Sequence, residues 1–185
     1  MTEKDLKNFI QNALKEDVGD GDHTSLASIP ASATSKAHLL IKDDGIIAGI
    51  ELAKMIFNEV DSSLEIEQFL QDGDRVKFGD IAFIVKGNSI SILTGERLTL
   101  NCMQHMSAIA TKTAYLNTLI EDTNCKLLDT RKTTPLNRTI EKWAVKIGGG
   151  VNHRFGLYDM IMIKDNHIDF SGGISNAIQK TKTYL

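Results

Sequence analysis

Apolar positions recur along this chain at two spacings, and the change from one to the other divides it. Leu6, Phe9, Ile10, Ala13 and Leu14 fall on one face of a helix predicted over 2–15, with Thr2 placed to cap it and Asp5 in its first turns. The acid-rich run Glu16-Asp17-Val18-Gly19-Asp20-Gly21-Asp22-His23-Thr24 ends that helix. Its spacing of acids does not match a calcium loop, so it reads as a turn or a helix cap. Alternation then predicts a strand over 35–41, a turn at Asp43-Asp44-Gly45 and a second strand over 46–49. Leu52, Met55, Ile56 and Val60 predict a helix over 51–60. Further strands are predicted over 64–69, 81–85 and 89–93, with turns at Asp72-Gly73-Asp74 and Gly79-Asp80. The first half is therefore a small α+β unit with an antiparallel or mixed sheet.

From residue 95 to 120 the helical spacing takes over, through Leu98, Leu100, Met103, Met106, Ile109, Ala110, Ala114, Leu116, Leu119 and Ile120. Ser107 marks a break between two helices. A short buried strand is predicted over 126–129, then a helix over 135–146 with Pro135 in its first turn, broken by Gly148-Gly149-Gly150. A strand over 160–163 follows, and Gly172-Gly173 leads into a helix from Ile174. Strand, loop and helix in this order signal parallel β/α units. Two such units do not close a barrel, which leaves part of a longer barrel or a small open sheet.

Composition narrows the class. Hydrophobic content of 42% and charged content of 24% are ordinary for a soluble globular protein. A pI near 5.9 argues against a generic nucleic-acid binder, and no basic patch is interleaved with aromatics. Cys102 and Cys125 form no Cys-x-x-Cys pair, which fits a reducing compartment. The start is too polar for a signal peptide, and no apolar run approaches the roughly 20 residues of a membrane span. A cytoplasmic protein, with neither membrane nor nucleic acid as partner, is expected.

Charge changes the picture locally. The window 128–167 holds Arg131, Lys132, Arg138, Lys142, Lys146, Arg154 and Lys164 against Asp129, Glu141, Asp159 and Asp165, in a chain of net charge -3. Cations gathered against the overall balance point to an anionic ligand. Arg131 and Lys132 come just past the apolar run ending at Leu128, and Lys164 just past 160–163. Residues at strand ends are where α/β barrels build their sites. An arginine fork grips a carboxylate or phosphate through two hydrogen bonds, and lysine supplies a compact mobile charge. Arg131, Lys132, Arg154 and Lys164, with His153, could hold a ligand with several negative groups. Solvated surface charge is the alternative for any one of them, and it is weaker for the group, which sits at loop starts and beside glycines. His153 reads as a general acid, a donor to a carboxylate, or a packed histidine. Asn166 and His167 read as partners orienting the Lys164 loop. Arg97 alone reads as a surface arginine paired with Glu96 or another acid, Cys125 as packing, and His105 as lacking a partner at metal-ligand spacing.

Three stretches together resemble one family. Thr130-Arg131-Lys132-Thr133-Thr134-Pro135, Gly148-Gly149-Gly150-Val151-Asn152-His153-Arg154-Phe155-Gly156-Leu157-Tyr158-Asp159 and Ile163-Lys164-Asp165-Asn166-His167 closely resemble the quinolinate phosphoribosyltransferases, or nicotinate-nucleotide pyrophosphorylases (carboxylating). Glu96-Arg97 with Asn101, and Ser107 with Ile109-Ala110-Thr111, are similar to that family's helix motifs, as is the Glu16–Asp22 run (residues 16–22) near the start. The resemblance covers nearly the whole chain. It implies an α/β fold, with an N-terminal α/β sandwich and linking helix over 1–105 and the start of an open α/β barrel over 106–185. It implies a pentosyltransferase of NAD biosynthesis. Such an enzyme moves phosphoribose from phosphoribosyl pyrophosphate to quinolinate with decarboxylation, using Mg2+. By motif, Thr130, Arg131, Lys132, His153, Arg154 and Lys164 would line the substrate site, with Lys132 and Lys164 catalytic. Arg97 would reach a neighbouring subunit's site, making a homodimer or higher homo-oligomer.

The chain departs from the family in places. Pro135-Leu136-Asn137-Arg138 stands where Pro-Gly-x-Arg is common, and Asp165 where Glu is frequent. The acidic pair expected to bind magnesium and ribose, and the phosphate loops, belong to later barrel strands, so these 185 residues by themselves are expected to be inactive and to hold no metal ligand. Two other readings remain: a molybdenum-transport-associated homologue of the same fold, and a truncated, non-catalytic binding module.

Overall fold

The computed structural model describes residues 3–185. They form two compact units, divided between His153 and Arg154. The expected cap at Thr2 lies outside the described residues.

In the first unit, helix α1 (Glu3–Val18) buries Leu6 and Ile10, two positions of the predicted apolar face. Asp22 then caps α2 (His23–Ser28), its carboxylate accepting from the Ser25 N–H at 3.1 Å. Of the acid-rich run, Glu16, Asp17 and Val18 continue α1 past the predicted end at residue 15, and Asp22 is the cap. Strand β1 (Thr34–Leu40) and β3 (Glu65–Gln68) flank β5 (Ile81–Asn88) in an antiparallel sheet of order β1-β5-β3, with a register shift at Leu39/Leu40. β2 (Gly45–Ile46) and β4 (Arg75–Val76) form a separate short ladder. Between them, α3 (Ile50–Val60) has no side-chain cap of its own, because Gly49, at φ +100°, stands at its N-cap and has no side chain; Asp72 replaces it, accepting from the N–H groups of Gly49 and Ile50 at 2.7 and 2.8 Å.

The spine is α4, one helix of 30 residues from Ser89 to Thr118. Its buried positions Ile92, Gly95, Leu98, Cys102, Met106, Ala110 and Thr113 recur every three or four residues, and they serve both core clusters. Two expectations fail here. Residues 89–93 are helical rather than a strand, since the Asn88 side chain accepts from Ile90 and Ser91 and starts the helix. Ser107 is not a break. Its hydroxyl accepts from Ala48 N–H at 2.9 Å and reaches back to Ala48 O, while Thr111, one turn on, does the same for Ile46. These hydroxyls satisfy backbone groups that a sheet partner would otherwise take, which is why the predicted second strand stops at Ile46.

After α4 the expected strand over 126–129 is reduced to one parallel bridge, Leu128 to Val151, with Val151 N–H donating to Leu127 O at 2.9 Å. It is not buried: Leu128 is exposed, and so is Cys125, which therefore does not serve as packing. The strand that returns beside it is Val151, not 160–163, which takes no ladder partner among the described residues. Helix α5 (Arg138–Ile147) forms the crossover between the bridged residues. It begins three residues later than predicted because Leu136 holds φ +66°, outside the right-handed region. Thr134-Pro135-Leu136-Asn137 is instead a turn closed by Asn137 N–H to Thr134 O at 3.1 Å. Proline second and a left-handed residue third is the type II pattern.

The second unit, Arg154–Leu185, contains α6 (Asp165–Ser171), which the apolar pattern did not reveal, and α7 (Ile174–Tyr184), which it did. Gly172 at φ +80° and Gly173 separate the two. Among the described residues no helix is long and apolar enough to cross a membrane.

Candidate functional site

The loop that carries Thr130, Arg131 and Lys132 is built from beneath by α5. That helix has two working faces. Ile140, Ala144 and Ile147 pack into the core shared with α4. Arg138, Glu141 and Lys142 lie on the opposite face at helical spacing and hold the loop. Arg138 Nε donates to Thr133 Oγ1 at 3.2 Å. Both Glu141 carboxylate oxygens accept from Thr134 N–H at 3.3 Å, and His105 Nε2 on α4 lies 3.0 Å from Glu141 Oε1. His105, without a metal partner in the sequence, is thus a structural partner of α5. Within the loop, Lys132 N–H donates to Thr130 Oγ1 at 3.0 Å.

Lys142 is the residue that sequence reasoning passed over. Counted there among the basic groups, it is fully buried, and its Nζ hydrogen-bonds to Asp129 Oδ1 and donates to His153 O at 2.9 Å. Asp129 in turn accepts from His153 N–H at 2.8 Å and from Asn152 Nδ2 at 2.6 Å. A single carboxylate therefore ties the loop of Thr130, Arg131 and Lys132 to the backbone of His153, and brings those four residues into one assembly. A lysine on the far side of an amphipathic helix from its core face is a weak signal, since solvent usually takes that position.

Arg131 is half-buried, and its Nε is enclosed without a hydrogen-bond partner among the described residues. Buried donors are nearly always paired, which sets this guanidinium N–H apart from its neighbours. Lys132 is exposed. Arg97 stands exposed on α4, and no acid pairs with it among the described residues. In the second unit, Arg154 is buried and its guanidinium donates to Met160 O at 3.0 Å. Asp159 accepts from the N–H groups of Phe155 and Gly156 at 2.7 and 2.9 Å and fixes the turn that follows. Lys164 is exposed immediately before α6, and its N–H donates to His167 Nδ1 at 3.1 Å, so His167 does orient the Lys164 backbone. Among the described residues no group of three or more His, Cys, Asp or Glu side chains could hold a metal ion.

The match of both domain models shows that this mixed α/β chain belongs to the quinolinate phosphoribosyl transferase family. The profile of the N-terminal domain matches residues 22–107 and that of the C-terminal domain residues 109–185. The chain is 52% identical over 182 residues to "Quinolinate phosphoribosyltransferase [decarboxylating] 1b" of Nicotiana tabacum, covering 98% of this chain and 51% of the relative. It is 41% identical over 182 residues to the "Probable nicotinate-nucleotide pyrophosphorylase [carboxylating]" of Bacillus subtilis, covering 98% of this chain and 63% of that protein. The crystal structure of NadC from Streptococcus pyogenes superposes with a TM-score of 0.93 at 38% identity, over all of this chain and 65% of that one. The chain thus spans about half the length of the plant relatives it matches.

Proposed function

We propose that the protein transfers phosphoribose from phosphoribosyl pyrophosphate to quinolinate and releases pyrophosphate and carbon dioxide, forming nicotinate mononucleotide for NAD biosynthesis. Family membership supports the reaction class. The observation that carries the reading to this chain's residues is the clamped loop, which presents Arg131, its Nε enclosed and unpartnered among the described residues, next to Lys132.

Quinolinate carries two carboxylates, and phosphoribosyl pyrophosphate is strongly anionic. Arg131 and Arg97 would fix the carboxylates, His153 and the Thr130 backbone would border the ring, and Lys132 would meet charge on either substrate. The pyridine nitrogen attacks the ribose carbon as pyrophosphate departs, and cations around the departing group stabilise it. Once alkylated, that nitrogen stabilises the carbanion left when the adjacent carboxylate leaves as carbon dioxide. Arg97 would complete the site of a neighbouring copy, which makes the active form a homodimer or larger. Magnesium would arrive with phosphoribosyl pyrophosphate. The described residues offer it no cluster of ligands. We place the protein in the cytoplasm, although several plant relatives carry mitochondrial or chloroplastic names.

The test is quinolinate-dependent release of pyrophosphate and carbon dioxide from phosphoribosyl pyrophosphate by the whole protein. Stoichiometric release of both supports the reading. No release while phosphoribosyl pyrophosphate still binds would overturn it.

A further inference from the structure

We propose that Lys142 and Asp129 are positioning residues for the anion site, acting through His153. The proposal rests on the reading that Arg131, Lys132 and His153 bind the pyridine dicarboxylate.

The geometry has an unusual focus. The ion pair brackets one residue: Asp129 Oδ1 accepts the N–H of His153 at 2.8 Å, and Lys142 Nζ donates to the carbonyl of that same His153 at 2.9 Å. Asn152, next in the chain, is held twice more, its Nδ2 donating to Asp129 Oδ2 at 2.6 Å and to Lys142 O at 2.8 Å. Asp129 is itself the residue before Thr130-Arg131-Lys132. Both ends of the arrangement therefore lie one or two residues from groups that would meet the ligand, though neither charged side chain is exposed.

Stability alone gives a poor account of such a pair. Charges withdrawn from water lose their hydration, and well-packed apolar residues of similar volume commonly do as well or better in that place. What an apolar pair cannot do is hold a peptide by its N–H and its carbonyl at once. A single parallel bridge, Leu128 to Val151, leaves the two strand ends with few backbone bonds to set their spacing. The ion pair supplies that spacing. It fixes the distance from the Arg131 loop to the His153 backbone, and with it the pocket width that two adjacent carboxylates on a ring would need.

The experiment measures binding of pyridine-2,3-dicarboxylate by calorimetry to the whole protein and to Asp129→Asn, Lys142→Met, His153→Ala and Asp129→Asn/His153→Ala variants. Circular dichroism and urea unfolding confirm that each is folded. Asp129→Asn is the deciding variant because it keeps the side chain's shape. It is expected to weaken binding about tenfold alone and by less than about twofold in the His153→Ala background, since the side chain it positions is then gone. Its effect on the urea midpoint should be equal in both backgrounds. A merely structural role predicts the same loss of affinity in both backgrounds, and that result, or a folded Asp129→Asn protein with unchanged affinity, overturns the proposal. Unchanged affinity in His153→Ala and in an Arg131→Ala control would instead overturn the underlying reading of the site.

Discussion

Gly148 at the end of α5 lies so close to Ala110 on α4 that a Cβ placed on it would stand 2.4 Å from the Ala110 carbonyl oxygen and 2.7 Å from the Thr113 side chain. The close approach seats α5 against the spine and so sets the height of the loop it carries. Gly148→Ala must push the helices apart, because backbone cannot swing away as a flexible side chain would. We expect a loss of about 1–3 kcal/mol by urea unfolding, and weaker ligand binding with it.

Removing one partner of a buried ion pair leaves the other charged and unsolvated. Asp129→Ala and Lys142→Ala should each lower stability by about 3–5 kcal/mol, read from chemical denaturation. A loss below about 1 kcal/mol would mean that water reaches the pair.

Leu136 is 94% exposed and sits at φ +66°. Its side chain contributes little there, and its backbone conformation costs about 1–2 kcal/mol that glycine avoids. Glycine also loses about 0.5–1 kcal/mol more chain entropy on folding. Leu136→Gly should therefore leave stability unchanged within about 1 kcal/mol, while the β-branched Leu136→Val should lower it. Thermal melts of the two variants check the order.

Asp22, Asp61 and Glu67 are held below their ordinary pKa, which predicts an acid limb, and the hydrogen bonds of Asp61 and Asp22 are the more local cause. Hydrogen bonds from the Ser63 hydroxyl and N–H, and from the Ser91 hydroxyl, hold Asp61 below its ordinary pKa; the Ser25 side chain and N–H do the same for Asp22. A depressed carboxylate stabilises the fold above its unfolded value of about 3.9, and that contribution is lost as pH falls through the lower folded value. Asp72 runs the other way. Burial raises it despite the N–H groups of Ile50, Glu51 and Gly49, so its contribution is present at low pH and lost as pH rises through its folded value. In Tm measured against pH, Asp61→Asn should flatten the acid limb below about pH 4. An unchanged limb would show that Asp61 does not carry it.

Much of this fold was readable from periodicity, and the exceptions share a cause. α1, α3, α7, β1 and β5 follow the sequence pattern because the spacing of apolar positions in each marks the face it turns to its neighbours, however distant those lie in the chain. Residues 89–93 hold too few apolar positions to separate strand from helix, and the deciding signal is polar, the Asn88 cap. The runs 126–129 and 160–163 look like strands, but a strand is defined by its partner, and only Leu128 finds one, in Val151. The basic loop was legible as a candidate site from charge and position. Its support was not, because Lys142 is buried beside Asp129 and His153, which the sequence gives no reason to place over that face of α5.

The central claim is that the Arg131 loop holds a pyridine dicarboxylate. Its most direct test is calorimetric titration of quinolinate into the whole protein and its Arg131→Ala variant at equal ionic strength. Loss of a paired guanidinium should weaken binding by about 1.5–3 kcal/mol, roughly ten- to a hundredfold in Kd, with the urea midpoint preserved. Equal affinity in the two proteins would contradict the account.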